Sequence, residues 1–306
     1  MQRRFLDYFI ISLKGIAMGA ADAVPGVSGG TIAFISGIYE ELVTTISGVN
    51  FNLFKTFKNK GFKAFWTQLN GSFLVALLTG IIISFVSFMR LAKYLIEYHP
   101  VLIWSFFFGL IIASLFFVGK QIKRWNFAAI LALIFGAFVA YYITSLPSMT
   151  NNSHPLFLFF AGALAICAMI LPGISGSFIL VILGAYKTLS DALHDFDFKK
   201  IGIFALGALI GLLSFSHVLK WLFKHYHNIT LAILTGFIFG SLNKIWPWKE
   251  VLTWRTNSEG IQIPLLEKSI SPFAYEGNPQ LTYAIILMVV GFLTIFILEK
   301  IGSKKQ

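Results

Sequence analysis

The sequence predicts an all-α polytopic membrane protein built from two inverted-topology repeats, each a re-entrant Pro-Gly-broken helical hairpin plus three transmembrane helices. Composition points there first. Hydrophobic residues make up 57% of the 306-residue chain and charged residues 12%, with a mean hydropathy of +0.78, where a soluble domain carries roughly 25% charged side chains. Several apolar runs approach the roughly 20 residues a helix needs to cross hydrocarbon, and short clusters of Lys, Arg, Asn and Pro separate them. The third observation is internal similarity. Val24-Pro25-Gly26-Val27-Ser28-Gly29-Gly30-Thr31-Ile32 matches Leu171-Pro172-Gly173-Ile174-Ser175-Gly176-Ser177-Phe178-Ile179, and the register runs on through Gly37-Ile38-Tyr39 and Gly184-Ala185-Tyr186 to Leu42 and Leu189. After a loop that is longer in the first copy, Ser87-Phe88, Lys93, Gly109 and Ser114 match Ser214-Phe215, Lys220, Gly236 and Ser241.

The first repeat, 1–147, is expected to hold a hairpin over 5–49 and helices over 71–90, 101–119 and 126–146. The second, 148–306, holds a hairpin over 156–193 and helices over 201–223, 229–246 and 281–298. Residues 247–280, with Trp248, Trp254, Pro264, Pro272 and Pro279, read as an outer-face loop lying in the interface, where Trp is common. A hairpin that returns to its own side plus three crossings makes the second copy start on the opposite face. Charge agrees. With both termini cytoplasmic, most of the 24 basic residues fall on inner segments, whereas most of the acids, among them Glu97, Asp191, Asp195, Asp197 and Glu267, fall outside. Arg3 and Arg4 followed by an apolar run and Ala21-Asp22-Ala23 imitate a cleaved leader, but the same pattern returns in mid-chain, so the segment reads as a hairpin.

The net charge of +11 sits at the ends of apolar runs, where it meets anionic headgroups, so nucleic acid is not an expected partner. Cys167, the single cysteine, excludes an intrachain disulfide and a thiolate cluster, and the six histidines show no metal-ligand spacing. No metal, cofactor or catalytic residue is expected.

The chemistry lies in the breaks. Pro, Gly and Ser at membrane depth interrupt a helix and leave N–H and C=O groups that survive only where they line a polar cavity. The helices starting near Gly29 and Gly176 present N–H groups and a positive dipole end, and Ser28 and Ser175 stand at the N-cap, a pattern suited to an oxyanion. The bland reading makes both breaks packing kinks. Asp22 is either a coupling carboxylate or a buried cap, and Met169 takes its place in the second copy. Glu40 and Glu41, opposite Lys187 and Thr188, are either interface residues or a gate or proton acceptor facing the cavity. Arg90, Lys93 and Lys220 are candidates for phosphate capture, with snorkelling at helix ends as the alternative.

With Gly19-Ala20-Ala21-Asp22 running into the first Pro-Gly-x-Ser-Gly segment and Leu171 to Ser177 supplying the second, the chain resembles a bacterial membrane family long labelled only as a domain of unknown function and regarded as polyprenyl-phosphate translocases of the PopT type. The resemblance spans essentially the whole chain. It implies return of undecaprenyl phosphate, the lipid carrier of cell-wall precursors, from the outer to the inner leaflet of the plasma membrane; the coupling reading of Asp22 separately makes a proton a candidate partner. It also implies a substrate-contacting core of Asp22, Pro25, Gly26, Ser28, Gly29 and Gly30 with Pro172, Gly173, Ser175 and Gly176. Thr31 and Ser177 complete the candidate set, and Ser177 stands where the first hairpin has Gly30.

Two other classes compete. A membrane polyprenyl-pyrophosphate phosphatase would need Arg, His or metal-binding acids at the phosphoryl group, and neither break contains an Arg or an evident base for Ser28 or Ser175. An anion channel would need a continuous polar pore through helices dominated by Phe, Leu and Ile.

Overall fold

Inside hydrocarbon the backbone has no water to bond, so a chain this apolar folds by pairing its N–H and C=O groups within helices. The computed structural model describes residues 3–22, 28–146, 154–256 and 262–303. The first hairpin is α1 (Phe5–Asp22), α2 (Gly29–Ile35) and α3 (Tyr39–Ser47), followed by α4 (Phe51–Gln68), α5 (Gly71–Tyr98), α6 (Pro100–Gln121) and α7 (Phe127–Ser145). The second hairpin is α8 (Pro155–Ile170), α9 (Gly176–Ile182) and α10 (Ala185–His194), followed by α11 (Phe198–Gly240) and α12 (Leu281–Ser303). Gly37 (φ 73°) and Gly184 (φ 69°) end α2 and α9 in the left-handed region, where a side chain would be strained. The bend between α9 and α10 is 109°, the geometry of a re-entrant loop.

Copy-to-copy equivalence reaches single dihedrals. α5 and α6 meet at His99 (φ −136°, ψ 48°), and α11 breaks at Tyr226 (φ −135°, ψ 45°), the residue that the repeat register sets opposite His99. As one rod, the 43 residues of α11 would reach about 65 Å, twice the ~30 Å of a hydrocarbon core. α11 therefore supplies two arms, 198–225 and 227–240. α6, α7 and α11 with its 3-10 extension are each long and apolar enough to cross a membrane.

The helices meet backbone to backbone at small residues, as expected where lipid supplies no hydrophobic drive between them. A Cβ on Gly80 would overlap the carbonyl of Ser12, and one on Gly207 the carbonyl of Phe159, so α1 lies on α5 as α8 lies on the first arm of α11. The third helices are exchanged. α7 packs on the second arm of α11, with Gly136 against Ile233, and α12 packs on α6, with Gly291 against Phe106.

One contact has no counterpart. α3 packs on α11, with the Tyr39 ring 5.9 Å from that of Phe223, whereas α10 makes no comparable packing on α5 or α6 among the described residues. Tyr39 is accordingly 2% exposed, and Tyr186, its equivalent, 38%.

Two segments differ from the sequence expectation. The long loop after the first hairpin is the helix α4, capped by Asn50, whose side chain accepts from the N–H groups of Asn52 and Leu53, and interrupted at Gly61 (φ 78°). Its phenylalanines alternate with Lys55, Lys58, Lys60 and Lys63, so no apolar run marked it. Within 247–280, β1 (Lys249–Thr256) pairs antiparallel with β2 (Gln262–Ser269), a departure from an all-α chain. Irregular register between Val251 and Trp254, with Pro264 opposite Trp254, breaks the alternation that signals a strand. Indole donors pin the segment: Trp246 Nε1 to Ile270 O at 2.8 Å and Trp248 Nε1 to Pro279 O at 2.9 Å.

Where the β-hairpin meets the helices, Glu267 faces both Lys244 (3.4 Å) and Lys249 (3.5 Å), and the Lys249 ammonium stands 4.0 Å from the centre of the Trp104 ring. Burial pushes Lys249 down to about 8, outweighing the attraction of Glu267. Burial would raise Glu267, but Lys249 and Lys244 together hold it below the usual carboxylate value.

Gly207→Leu should destabilise the protein by about 1–3 kcal/mol through overpacking on Phe159, while Gly202→Ala, where a Cβ meets nothing within 4 Å, should be neutral or slightly stabilising. Thermal unfolding in detergent separates the two. The Lys249 ammonium, followed by 15N NMR of lysine-labelled protein, should titrate near 8 and lower still in Glu267→Gln, which removes the one charge raising it. Its folded value lies under the unfolded 10.5, so the unfolded chain keeps the proton between about 8 and 10.5. Lys249's contribution to stability should therefore grow as pH rises through that window.

Candidate functional site

Ending α1 at Asp22 and reopening the helix at Gly29 strands the first N–H groups of α2. They are satisfied locally. Asp22 Oδ1 accepts from Gly29 N–H at 2.7 Å, Ser28 Oγ accepts from Gly30 N–H at 3.1 Å, and Ser28 O accepts from Thr31 N–H at 2.9 Å. Ser28, in extended conformation, is the N-cap. Its hydroxyl donates to Met169 O at 3.2 Å, and Gly173 N–H donates to Thr31 Oγ1 at 2.9 Å. A Cβ on Gly30 would lie 2.6 Å from Ile170 O. The two breaks thus touch, with Ser28 and Thr31 buried between them. Pro25 and Gly26 lie outside the described residues.

The second break is built from the same motif with the opposite outcome. Pro172 and Gly173 are buried, Gly173 at φ 91° against Phe237 O and Ser241 Oγ. Ser175 holds the N-cap position of α9 but makes no cap bond, and its hydroxyl pairs at 2.8 Å with that of exposed Ser177. Gly176 is closed in by Ala165 O. Met169, opposite Asp22 in the register, supplies no charge. One break therefore places its own carboxylate on the first N–H of its helix, while the other offers two hydroxyls and no acid. A hydroxyl partner is no base, so nothing among the described contacts activates Ser175 as a nucleophile.

A cation that the sequence reading missed reaches this second break. Lys244, in the 3-10 turn after α11, lies with Nζ 4.8 Å from the centre of the Phe178 ring, in the first turn of α9. Neither copy's motif contains Lys244, and only the return of the chain past Gly173 brings it there.

The remaining candidates lie elsewhere. Glu41 is held by a two-pronged ion pair from Arg3 (2.7 and 2.6 Å) and by Asn70 Nδ2 at 2.8 Å, and Glu40 meets His227 Nε2 at 3.0 Å beside the Tyr226 break. These contacts join the chain start, α3, α5 and α11. A cavity of about 300 Å³ opens beside them, lined by Glu40, Glu41, Thr44, Thr45, Gln68 and Asn70. Lys220 is exposed on α11. Arg90 and Lys93 belong to α5, and their side chains lie outside the described residues.

Residues 18–263 match the family model described as VCA0040-like: undecaprenyl phosphate translocase-like. The polyprenyl-phosphate transporter of Vibrio cholerae is 46% identical over 308 residues, covering 99% of this chain and 100% of that protein. The polyprenyl-phosphate transporter of Staphylococcus aureus is 32% identical over 253 residues, covering 77% of this chain and 85% of that one. No solved structure matches. A family match across most of the chain, agreeing with the doubled Pro-Gly-x-Ser-Gly breaks, means that this multi-pass bacterial membrane protein belongs to the undecaprenyl phosphate translocase-like family.

Proposed function

We propose that the protein carries a polyprenyl phosphate, undecaprenyl phosphate in the first place, from the outer to the inner leaflet of the bacterial plasma membrane, returning the carrier for cell-wall precursor synthesis. The observation that carries this reading is the unequal state of two equivalent hairpins: the first is sealed by Asp22, Ser28 and the α3 packing, and the second presents Ser175 and Ser177. Such inequality is what alternating access through an inverted repeat requires. Both termini are cytoplasmic on the charge distribution, so the closed end, with Arg3–Glu41 and Glu40–His227, faces inward and the second break opens outward. The hairpins of repeats 1–147 and 148–306 exchange roles.

The phosphate meets Ser175 and Ser177 while the apolar tail stays in lipid along the Phe- and Leu-rich helix faces. Closing α10 over it as α3 closes on α11, and parting Glu40 from His227, opens the inner side. Asp22 sits where an anion would sit, on Gly29 N–H, so an ionised Asp22 and a phosphate compete for that donor. Protonating Asp22 removes the competitor and adds a positive charge to the moving unit. An inward-moving anion works against about 2.3 kcal/mol per charge per 100 mV, so one proton offsets one charge.

Proteoliposomes with leaflet-resolved undecaprenyl phosphate test this. Ser175→Ala/Ser177→Ala should slow protein-dependent movement at least about tenfold, each lost charge-assisted hydrogen bond costing about 1.5–3 kcal/mol. Asp22→Asn should leave a residual rate that no longer responds to a pH gradient. Release of inorganic phosphate in the same vesicles, or unchanged movement in both variants, would overturn the reading.

The closing motion has its own test. In a Cys167→Ser background, Tyr39→Cys/Phe223→Cys should cross-link without substrate and hold the protein open outward. The equivalent pair, Tyr186→Cys/Ile96→Cys, should cross-link only when undecaprenyl phosphate is present. Equal cross-linking of both pairs in the absence of substrate would rule out the exchange.

A further inference from the structure

Lys244, Lys249 and Glu267 form a charge cluster that the transport reading leaves unused. One carboxylate faces two ammonium groups at 3.4 and 3.5 Å, longer than the roughly 2.7–2.9 Å of a tight charge-assisted bond. Lys249 is locked: its side chain is 8% exposed and its ammonium stands over Trp104. Lys244 is different. Its side chain is 22% exposed, it leans on Phe178 next to Ser177, and Glu267 is its one hydrogen-bond partner among the described residues. An ammonium carries three donors, so Lys244 retains capacity for an incoming oxyanion.

The rest of the cluster favours an anion at the same place. The 3-10 turn carrying Lys244 is tied down by Ser269 Oγ donating to Asn243 O at 3.0 Å and by Thr144 Oγ1 on Asn243 Oδ1 at 3.0 Å. The break itself is fixed against Ser241 through Gly173. Two lysines against one acid leave a net positive charge near the break that carries the half-buried Ser175 and the exposed Ser177, in a region that is partly desolvated and so weakly screened.

We propose that Lys244 is a binding residue for a phosphate monoester at the second break, acting with Ser175 and Ser177, and that Glu267 of the β-hairpin is the built-in counter-anion that the phosphate displaces. The β-hairpin then acts as a charge-matched cover: with the site empty, Glu267 occupies Lys244, and with phosphate bound it falls back on Lys249. The inference rests on the reading that the second break receives the phosphate head.

The test uses the full chain in nanodiscs of phosphatidylcholine, titrated with undecaprenyl phosphate, undecaprenol or inorganic phosphate. Lys244→Gln should weaken undecaprenyl phosphate binding at least about tenfold, Lys244→Arg should restore it to within about threefold, and Glu267→Gln should bind as tightly as the unaltered protein or more so. In the unaltered protein, undecaprenyl phosphate should slow acetylation of Lys244, read by mass spectrometry, while undecaprenol should not. Protection by inorganic phosphate at similar concentration would identify the ligand as the free ion, still at Lys244. Binding unchanged in Lys244→Gln, or weakened as much by Glu267→Gln as by Lys244→Gln, would overturn the proposal and leave the transport reading in place. Absence of any undecaprenyl phosphate binding to the unaltered protein would instead remove the transport reading.

Discussion

A helix broken by Pro and Gly at membrane depth leaves N–H and C=O groups that hydrocarbon cannot satisfy, and the protein meets this constraint by pressing its two breaks against each other. The end of α8 offers Met169 O to the Ser28 hydroxyl, and the start of α2 offers Thr31 Oγ1 to Gly173 N–H. Where α2 begins, the Gly29 and Gly30 N–H groups close on Asp22 and Ser28. Each unsatisfied group would cost several kcal/mol, so neither break can be rearranged without moving the other. A polar seam runs between the repeats as a result, and the carboxylate, the caps and the Ser175 and Ser177 hydroxyls are all placed by it.

The exchanged third helices set what can move. Because α7 packs on the second arm of α11 and α12 on α6, the two sequence repeats cannot part as separate bodies. The contact free to make or break is the one without a counterpart, α3 on α11, together with its missing image, α10 on α5 and α6. Tyr39 is fully enclosed there, with Phe34 at 5.0 Å and Phe223 at 5.9 Å, and its hydroxyl has no partner among the described residues. An unpaired buried phenol costs about 1–3 kcal/mol, which lowers the barrier to opening this side. A tight contact carrying a built-in penalty suits a gate better than a permanent interface.

Much of this was legible in the sequence, because repeats and breaks are written in residue identity. Gly37 and Gly184 announce matching turns, and the register that links Lys93 to Lys220 also links His99 to Tyr226, whose dihedrals agree within a few degrees. What escaped depends on features with no one-dimensional period. α4 hides its helix because lysines interrupt its phenylalanines, and the β-hairpin hides its strands behind a register irregularity and Pro264. Asp22 could be read as a coupling group or a cap, and only the 2.7 Å bond to Gly29 N–H puts it on the helix terminus. Lys244 was invisible as a site residue because its neighbour Phe178 is distant in sequence.

The two copies have diverged along one physical axis. Where the first carries Asp22, the second carries Met169, and Glu40 and Glu41 face Lys187 and Thr188. Each difference leaves the first hairpin more negative than the second, and Lys187 adds a positive charge to the second. A symmetric pair of anion-binding breaks would hold a phosphate equally on either side of the seam and give it no reason to leave. With a carboxylate resident at the first break, a phosphate arriving there meets an occupied donor, and the occupant's charge depends on a proton. Divergence of the repeats, on the function proposed here, converts a symmetric binding site into a directional one, and the proton on Asp22 decides which anion holds Gly29 N–H.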